Sequence, residues 1–342
     1  MTSVTEYSEV CRPIAMIPTG IDCEQNKQGL PRYPRHPYHR PTAAVSFTIP
    51  PQKLASEFSP TGEQIAADNA AARLRDGLIS GLKMLAAAGA GKSSTLKHIS
   101  TSAYANLPIY YVVFAKRNAE EAKEKMPQNV VSSTLHSVAW RALNLKPDKN
   151  KAPSMYRFIY SHLIDVRWRF ISEEQTCGKN KLRQSVLVAK VIQVFCMSDS
   201  VHIEDTHVAA VLDAEIGNAI SAIRRTAKNQ NQNQNDKRLA SAKELTSQIV
   251  NLERSYEALR PMLLKAAIKI WPLLMSKLSH YHDVYLKVFE LNGSLVRAFF
   301  LEYAVIFLDE AQDVNGVQLS ILTKSCRPIL CVIRRMAGTD SD

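Results

Sequence analysis

Apolar positions recur at three-to-four spacing through Ile65, Ala66, Ala70, Leu74 and Leu78, which predicts a helix within residues 59–80. A short apolar run, Leu82 to Leu85, reads as a strand and leads into a stretch of Ala and Gly. A helix is expected to leave that stretch over residues 92–105. Pro108 to Phe114 is β-branched and aromatic, the composition of a buried parallel strand. Asn118 and Glu121 stand at capping-box spacing, so the next helix is expected to begin at Asn118. Alternating strands and helices imply a parallel α/β sheet. Beyond Ser154 the strand pattern stops, and residues 155–170, 182–197, 207–226 and 241–278 all read as helices. The sheet pattern returns at Tyr303 to Leu308. The chain reads as an α/β domain interrupted by an all-helical insertion.

Four segments follow from this pattern. Residues 1–52 are rich in Pro, Arg, His and Tyr, a density of proline that opposes both helix and central strand, so an extended or disordered tail is expected there. Residues 53–150 form the first part of the α/β domain, 151–295 the helical insertion, and 296–342 the return to the sheet. Within the insertion, Asn229 to Asn235 alternates Asn and Gln and reads as a solvated loop.

Composition adds less. The 342 residues are 46% apolar and 22% charged, ordinary for a soluble globular protein. The net charge of +11 suits an anionic partner without specifying one. Six cysteines, at 11, 23, 177, 196, 326 and 331, include no Cys-x-x-Cys pair, which argues against a zinc ribbon or redox dithiol and fits reduced thiols. With neither a signal-peptide pattern nor an apolar run of membrane-spanning length, an intracellular, soluble chain is expected, with no membrane partner.

The chemistry concentrates in two places. Ala86-Ala87-Ala88-Gly89-Ala90-Gly91-Lys92-Ser93 stands between a strand and a helix, where glycine-rich backbone N–H groups converge on phosphate oxygens at the positive end of the helix. Lys92 would reach the β- and γ-phosphates and the Ser93 hydroxyl would ligate magnesium. Ala86 occupies the place of the usual first glycine. About two hundred residues later, a gap long enough to hold a subdomain, comes Asp309-Glu310-Ala311-Gln312-Asp313. It follows an apolar strand directly, at the carboxyl end where open α/β sheets bind ligands. Asp309 would hold the metal and Glu310 would orient and deprotonate a water. This requires that adjacent strand ends bring Lys92 to Asp309 and Glu310.

Taken in order, five elements resemble the first half of a UvrD/Rep-type superfamily 1 DNA helicase, and are most similar to its F-box DNA helicase branch. Ser59 to Gln64 resembles the Q motif, and Ala86 to Ser93 the phosphate loop. Val113-Phe114-Ala115-Lys116-Arg117 is similar to a motif on single-stranded DNA, with Ala115 where the family usually shows Asn. Ser133-Thr134-Leu135-His136-Ser137 resembles a second DNA-facing motif, and Asp309 to Asp313 is similar to the acidic motif. His282 to Lys287 also looks like the segment that precedes the acidic motif in the F-box branch.

The resemblance implies a RecA-like P-loop NTPase fold, with ATP and Mg2+ as cofactors and single-stranded or partially duplex DNA as partner. It further implies translocation in the 3'-5' direction and a role in DNA repair. It assigns the adenine edge to Gln64, the γ-phosphate link to Gln312, and DNA contacts to Phe114, Lys116, Thr134, His136 and Ser137. His136 reads equally well as a structural histidine, Phe114 as sheet core, and Lys116 with Arg117 as a solvated helix start. Arg167-Trp168-Arg169-Phe170 interleaves base and aromatic, as strand binding or an amphipathic helix would require. Location follows as nuclear in a eukaryote, or cytoplasmic beside the nucleoid in a bacterium.

Where the family shows Gly-Asp-x-x-Gln, this chain reads Ile329 to Gly338 and stops at Asp342. A truncated helicase lacking its second RecA-like domain is the expectation, its turnover impaired or its missing half supplied by a second chain. Two alternatives stand beside it. One is a catalytically silent ATP- and DNA-binding module; the other is an unrelated P-loop enzyme such as a small kinase, against which the helical insertion and the Gln-Asp after the acidic pair argue.

Overall fold

A computed structural model of the chain describes residues 3–7, 59–87, 89–147, 153–163, 177–231 and 238–334. They form two compact units. The first comprises Met1–Ser133, Glu302–Gln312 and Arg327–Asp342, and the second Thr134–Leu301 and Asp313–Cys326.

The first unit is a six-stranded sheet with helices. Its elements are β1 (Ser3–Tyr7), α1 (Gly62–Arg75), β2 (Gly81–Ala86), α2 (Lys92–Thr101), β3 (Ile109–Val112), α3 (Lys116–Lys125), β4 (Val130–Ser133), β5 (Val305–Leu308) and β6 (Ile329–Arg334). Strand order is β1-β2-β6-β5-β3-β4. β1 pairs antiparallel with β2, and the other pairings are parallel. The mixed α/β fold and parallel sheet are those of a RecA-like domain.

Why these residues form these elements is local chemistry. Thr61 caps α1 in a reciprocal box with Gln64, and Ala67, Ala70, Ala71 and Leu74 bury one face of that helix. In β2, Leu82, Met84 and Ala86 are buried while the intervening residues are half-exposed, the two-residue period of a strand. All four residues of β3 and of β5 are buried, as central parallel strands require. The core gathers Leu82, Met84, Leu96, Ile99, Tyr111 and Phe307 with their neighbours.

Several expectations are corrected. Ser3–Tyr7, placed in an extended or disordered tail, forms a strand; these five residues contain no proline, so the ladder to β2 is available. Residues 1–2 and 8–52 of that tail lie outside the described residues, as do residues 53–58 and Arg167 to Phe170. β2 and the acidic strand β5 are not adjacent, because β6 lies between them and pairs with both. Helix α3 begins at Lys116, two residues before the expected Asn118, since Ala115 is the last extended residue and its carbonyl accepts from Ala119 N at 3.1 Å. The Gly-rich loop is one residue shorter than read, because Ala86 ends β2 and is buried.

The second unit is all-helical: α4 (Leu135–Ala142), α5 (Met155–His162), α6 (Cys177–Met197), α7 (Asp205–Asn231), α8 (Arg238–Glu257), α9 (Arg260–Met275), α10 (His282–Leu291), α11 (Gly293–Phe300) and α12 (Gly316–Lys324). Phe158, Leu187, Ile192, Phe195, Leu263 and Ile270 lie at its core. The single helix expected over 241–278 is two, α8 and α9, broken where Pro261 takes a first-turn position. Helix α7 runs through Asn231, so the first residues of the Asn/Gln run are helical, and residues 232–235 lie outside the described residues. The unit begins at Thr134, where the sequence pattern carries the α/β segment on to residue 150. The reason is that Trp140 of α4 meets Tyr285 of α10 edge-on, with ring centroids 5.6 Å apart.

Candidate nucleotide site

The phosphate loop owes its shape to two glycines. Gly89 and Gly91 both take φ of 75°, a left-handed conformation that costs a residue with a Cβ far more than it costs glycine. Gly91 is the N-cap of α2, so Lys92 opens the helix at its positive end and Ser93 follows it, exposed. Ala87 links strand to loop and its carbonyl accepts from Ala90 N at 3.2 Å; Ala88 lies outside the described residues. A small hollow beside the loop is lined by Met84, Ala86, Ala90, Lys92, Thr95 and Val332.

On the acidic side, Asp309 follows β5 and still donates its backbone N–H to Val112 O of β3 at 3.2 Å. Its Oδ1 accepts from Glu310 N at 3.0 Å, and its Oδ2 accepts from the Tyr111 hydroxyl at 3.0 Å. Glu310 then turns sharply, with φ of 48°. Positive φ is uncommon in a residue carrying a side chain, and such strain gathers at functional sites.

The two halves meet. Lys92 Nζ lies 2.6 Å from Glu310 Oε1, and Gln312 Nε2 donates to Glu310 Oε2 at 2.7 Å. The pair is largely shielded, with side chains 15% and 30% exposed. Although β6 separates their strands, the turn at Glu310 and the length of the Lys92 side chain close the gap.

Gln64 reaches the same loop from α1. Its Oε1 accepts from Thr61 N at 3.0 Å and its Nε2 donates to Thr95 Oγ1 at 3.2 Å. The Thr95 hydroxyl donates onward to Gly91 O at 3.1 Å, so Gln64 is tied through one buried side chain to the turn that precedes Lys92.

The arrangement suits a triphosphate carrying magnesium. Glycine-turned backbone and Lys92 meet the carboxylate of Glu310, which follows Asp309 in the chain, and carboxylates are hard oxygen donors. Among the described residues no cluster of three or more His, Cys, Asp or Glu is arranged to hold a metal. A magnesium ion held by one or two carboxylates plus substrate phosphates needs no such cage.

Two residues here escape the sequence pattern: Thr95, and Tyr111 of β3. In sequence Tyr111 is one more aromatic in an apolar run. The available signal was that a buried tyrosine hydroxyl needs a partner. Burial first, then the charges of Asp309 and Glu310 and the bond to Asp309, push its phenol well above the usual value, so it remains a donor.

The residues the resemblance assigns to DNA fall in both units. Phe114 follows β3, half-buried. Lys116 opens α3 almost fully exposed, 3.7 Å from Glu120. In the helical unit, Thr134 caps α4 by accepting from Ser137 N at 3.2 Å, and its hydroxyl lies 3.0 Å from that of Ser137. His136 Nε2 is 4.0 Å from Asp283 Oδ1, with the Tyr285 ring edge-on at 6.0 Å. Burial lowers its pKa, opposed by Asp283 and reinforced by His282, so the imidazole is neutral near pH 7. The segment His282 to Lys287, singled out by resemblance, is thus the part of α10 that packs on α4.

A glycine-turned phosphate loop between β2 and α2, faced by carboxylates at the end of a parallel strand, defines the P-loop NTPase class. The chain belongs to the UvrD/REP helicase family: the model for the UvrD/REP helicase N-terminal domain matches residues 69–333, a span that holds the phosphate loop and the acidic motif. F-box DNA helicase 1 of Gallus gallus is 26% identical over 251 residues, covering 73% of this chain and 21% of that relative. The chain therefore spans about a fifth of the length of that relative. Helicases of this family use ATP with Mg2+ and act on DNA. No helix among the described residues is long and apolar enough to cross a membrane.

Proposed function

We propose that this chain is the ATP-binding half of a UvrD-like helicase, in which hydrolysis drives 3'-5' movement along single-stranded DNA. The observation that carries this reading is the 2.6 Å approach of Lys92 Nζ to Glu310 Oε1, beside Asp309. Magnesium, when bound, supplies charge neutralisation at the phosphates. Asp309 and the Ser93 hydroxyl are the residues to hold it, and Lys92 to leave Glu310 for the phosphate oxygens. Glu310, released from Lys92, is then free to orient a water and accept its proton. Gln312, already bonded to Glu310, connects that base to the segment that follows. Gln64 recognises the adenine edge. Phe114, Lys116, Thr134, His136 and Ser137 contact the DNA strand.

A second reading, a module that binds nucleotide and DNA without turnover, is favoured by one observation: both Glu310 carboxylate oxygens are engaged, by Lys92 and by Gln312. ATP turnover measured with and without single-stranded DNA separates the two. DNA-stimulated turnover abolished by Lys92→Ala and by Glu310→Gln supports the helicase reading. ATP binding with no turnover above the Glu310→Gln background supports the module. Absence of nucleotide binding defeats both.

A further inference from the structure

Tyr111 is 3% exposed and packs among the core side chains of the first unit. Packing explains its ring but not its hydroxyl. A buried hydroxyl without a partner is unfavourable, so phenylalanine would satisfy the same site with less constraint. The hydroxyl donates instead to Asp309 Oδ2 at 3.0 Å. The second oxygen of the same carboxylate, Oδ1, accepts from Glu310 N at 3.0 Å. Two donors from different segments, the body of β3 and the turn after β5, therefore hold the carboxylate at both oxygens. Each oxygen of an ionised carboxylate has two lone-pair directions, so one remains on each. The carboxylate cannot rotate without breaking a bond, and its acceptor capacity is not exhausted.

We propose that Tyr111 is a positioning residue for a divalent cation: its hydroxyl fixes the Asp309 carboxylate in the orientation that receives the magnesium ion carried by a nucleoside triphosphate. The inference rests on the nucleotide-site reading above. It adds a donor from the neighbouring strand, behind the metal-holding side chain. Outer-shell hydrogen bonds of this kind typically change metal affinity by about 10–100-fold.

The test uses the full chain and a fluorescent methylanthraniloyl ATP, titrated with Mg2+ and, separately, in EDTA. Tyr111→Phe, which keeps the ring and its packing, is expected to raise the half-saturating Mg2+ concentration by about tenfold or more and to leave the affinity in EDTA unchanged. Asp309→Asn is expected to abolish the gain that Mg2+ gives. The EDTA arm is an internal control, because damage to the fold lowers both affinities together. Equal Mg2+ dependence in wild type and Tyr111→Phe overturns the proposal while leaving the nucleotide site intact. An equal loss with and without Mg2+ also overturns it, since that is the signature of a packing role alone. Nucleotide binding by the wild type that is indifferent to both Mg2+ and Lys92→Ala overturns the site reading, and this inference falls with it.

Discussion

Lys92 and Glu310, 218 positions apart in the chain, form an ion pair of 2.6 Å. The contact has a consequence for binding. A lysine engaged by a carboxylate must give up that partner to reach a phosphate, so the pair competes with the ligand. Glu310→Gln should therefore hold ATP as tightly as wild type or several-fold more tightly, while turnover is lost. Lys92→Ala should weaken binding by about 10–100-fold, the usual worth of a charge-assisted hydrogen bond of about 1.5–3 kcal/mol. Fluorescent nucleotide titrations of both variants check this, and weaker binding by Glu310→Gln contradicts the competition.

Gln64 supports the loop through Thr95, whose hydroxyl donates to Gly91 O. Removing its side chain in Gln64→Ala loses the reciprocal half of the α1 capping box and the bond to Thr95 together, while Thr61 still accepts from the backbone N–H of residue 64. A melting-point loss equivalent to about 0.5–1.5 kcal/mol for each of the two lost hydrogen bonds is expected. If Gln64 also reads adenine, the preference for ATP over GTP should fall by about tenfold, one hydrogen bond's worth. Thr95→Val, which keeps the α1 cap, separates the two effects: it should loosen the loop and spare base preference.

For DNA, the expected signature is salt dependence. Log affinity for single strands should fall with log salt at a slope of about −0.7 for each phosphate neutralised. Lys116→Ala should reduce that slope by about one phosphate's worth and weaken all sequences alike. Fluorescence anisotropy across a salt series measures both. Affinity independent of salt would remove electrostatic DNA binding from the proposal.

A buried ionic network holds the helical unit. Lys287 and Glu290 are both fully buried, 2.8 Å apart, with Lys287 Nζ also donating to Ser198 O at 2.9 Å. Ser320 Oγ donates to Glu290 at 2.6 Å, and Lys324 joins the same carboxylate. Despite its burial, these donors keep the Glu290 carboxyl below its ordinary range. Glu290→Gln strands a buried ammonium and should cost about 3–5 kcal/mol, read from denaturant midpoints. The double change Lys287→Met with Glu290→Gln should recover much of that loss, because no unpaired buried charge remains. The depressed carboxyl contributes stability above the unfolded value of about 4.3, lost as pH falls through the lower folded value.

His136 supplies a second pH term of known sign. Its pKa is lower in the folded chain than its ordinary value of about 6.5, so between the two the unfolded chain binds more protons. Its stabilising effect is complete above that value and declines as pH drops toward the folded one. Urea midpoints from pH 7.5 to 5 should fall in wild type, and His136→Gln should flatten the upper part of that decline. An unchanged profile would mean that the imidazole is freely solvated.

Much of this protein was legible along the chain. The apolar runs at β2 and β5 and the glycines at 89 and 91 are short-range properties. Each depends on residues a few positions apart, so the strands on either side of the glycine turn and before Asp309, and the run of helices from Met155 onward, could be read from sequence. Boundaries were less legible: Ala86 belongs to its strand and α3 starts at Lys116, because where an element ends depends on the neighbour it pairs with. Strand order, which puts β6 between β2 and β5, was decided only in three dimensions. So were the partner of Tyr111, 198 positions away at Asp309, and the grouping of Thr134 onward with the helices through Trp140 and Tyr285. Local periodicity records which face of an element is buried. It carries no information about which distant polar group will satisfy a buried hydroxyl or a lysine, since desolvation sets that demand and only the assembled core imposes it.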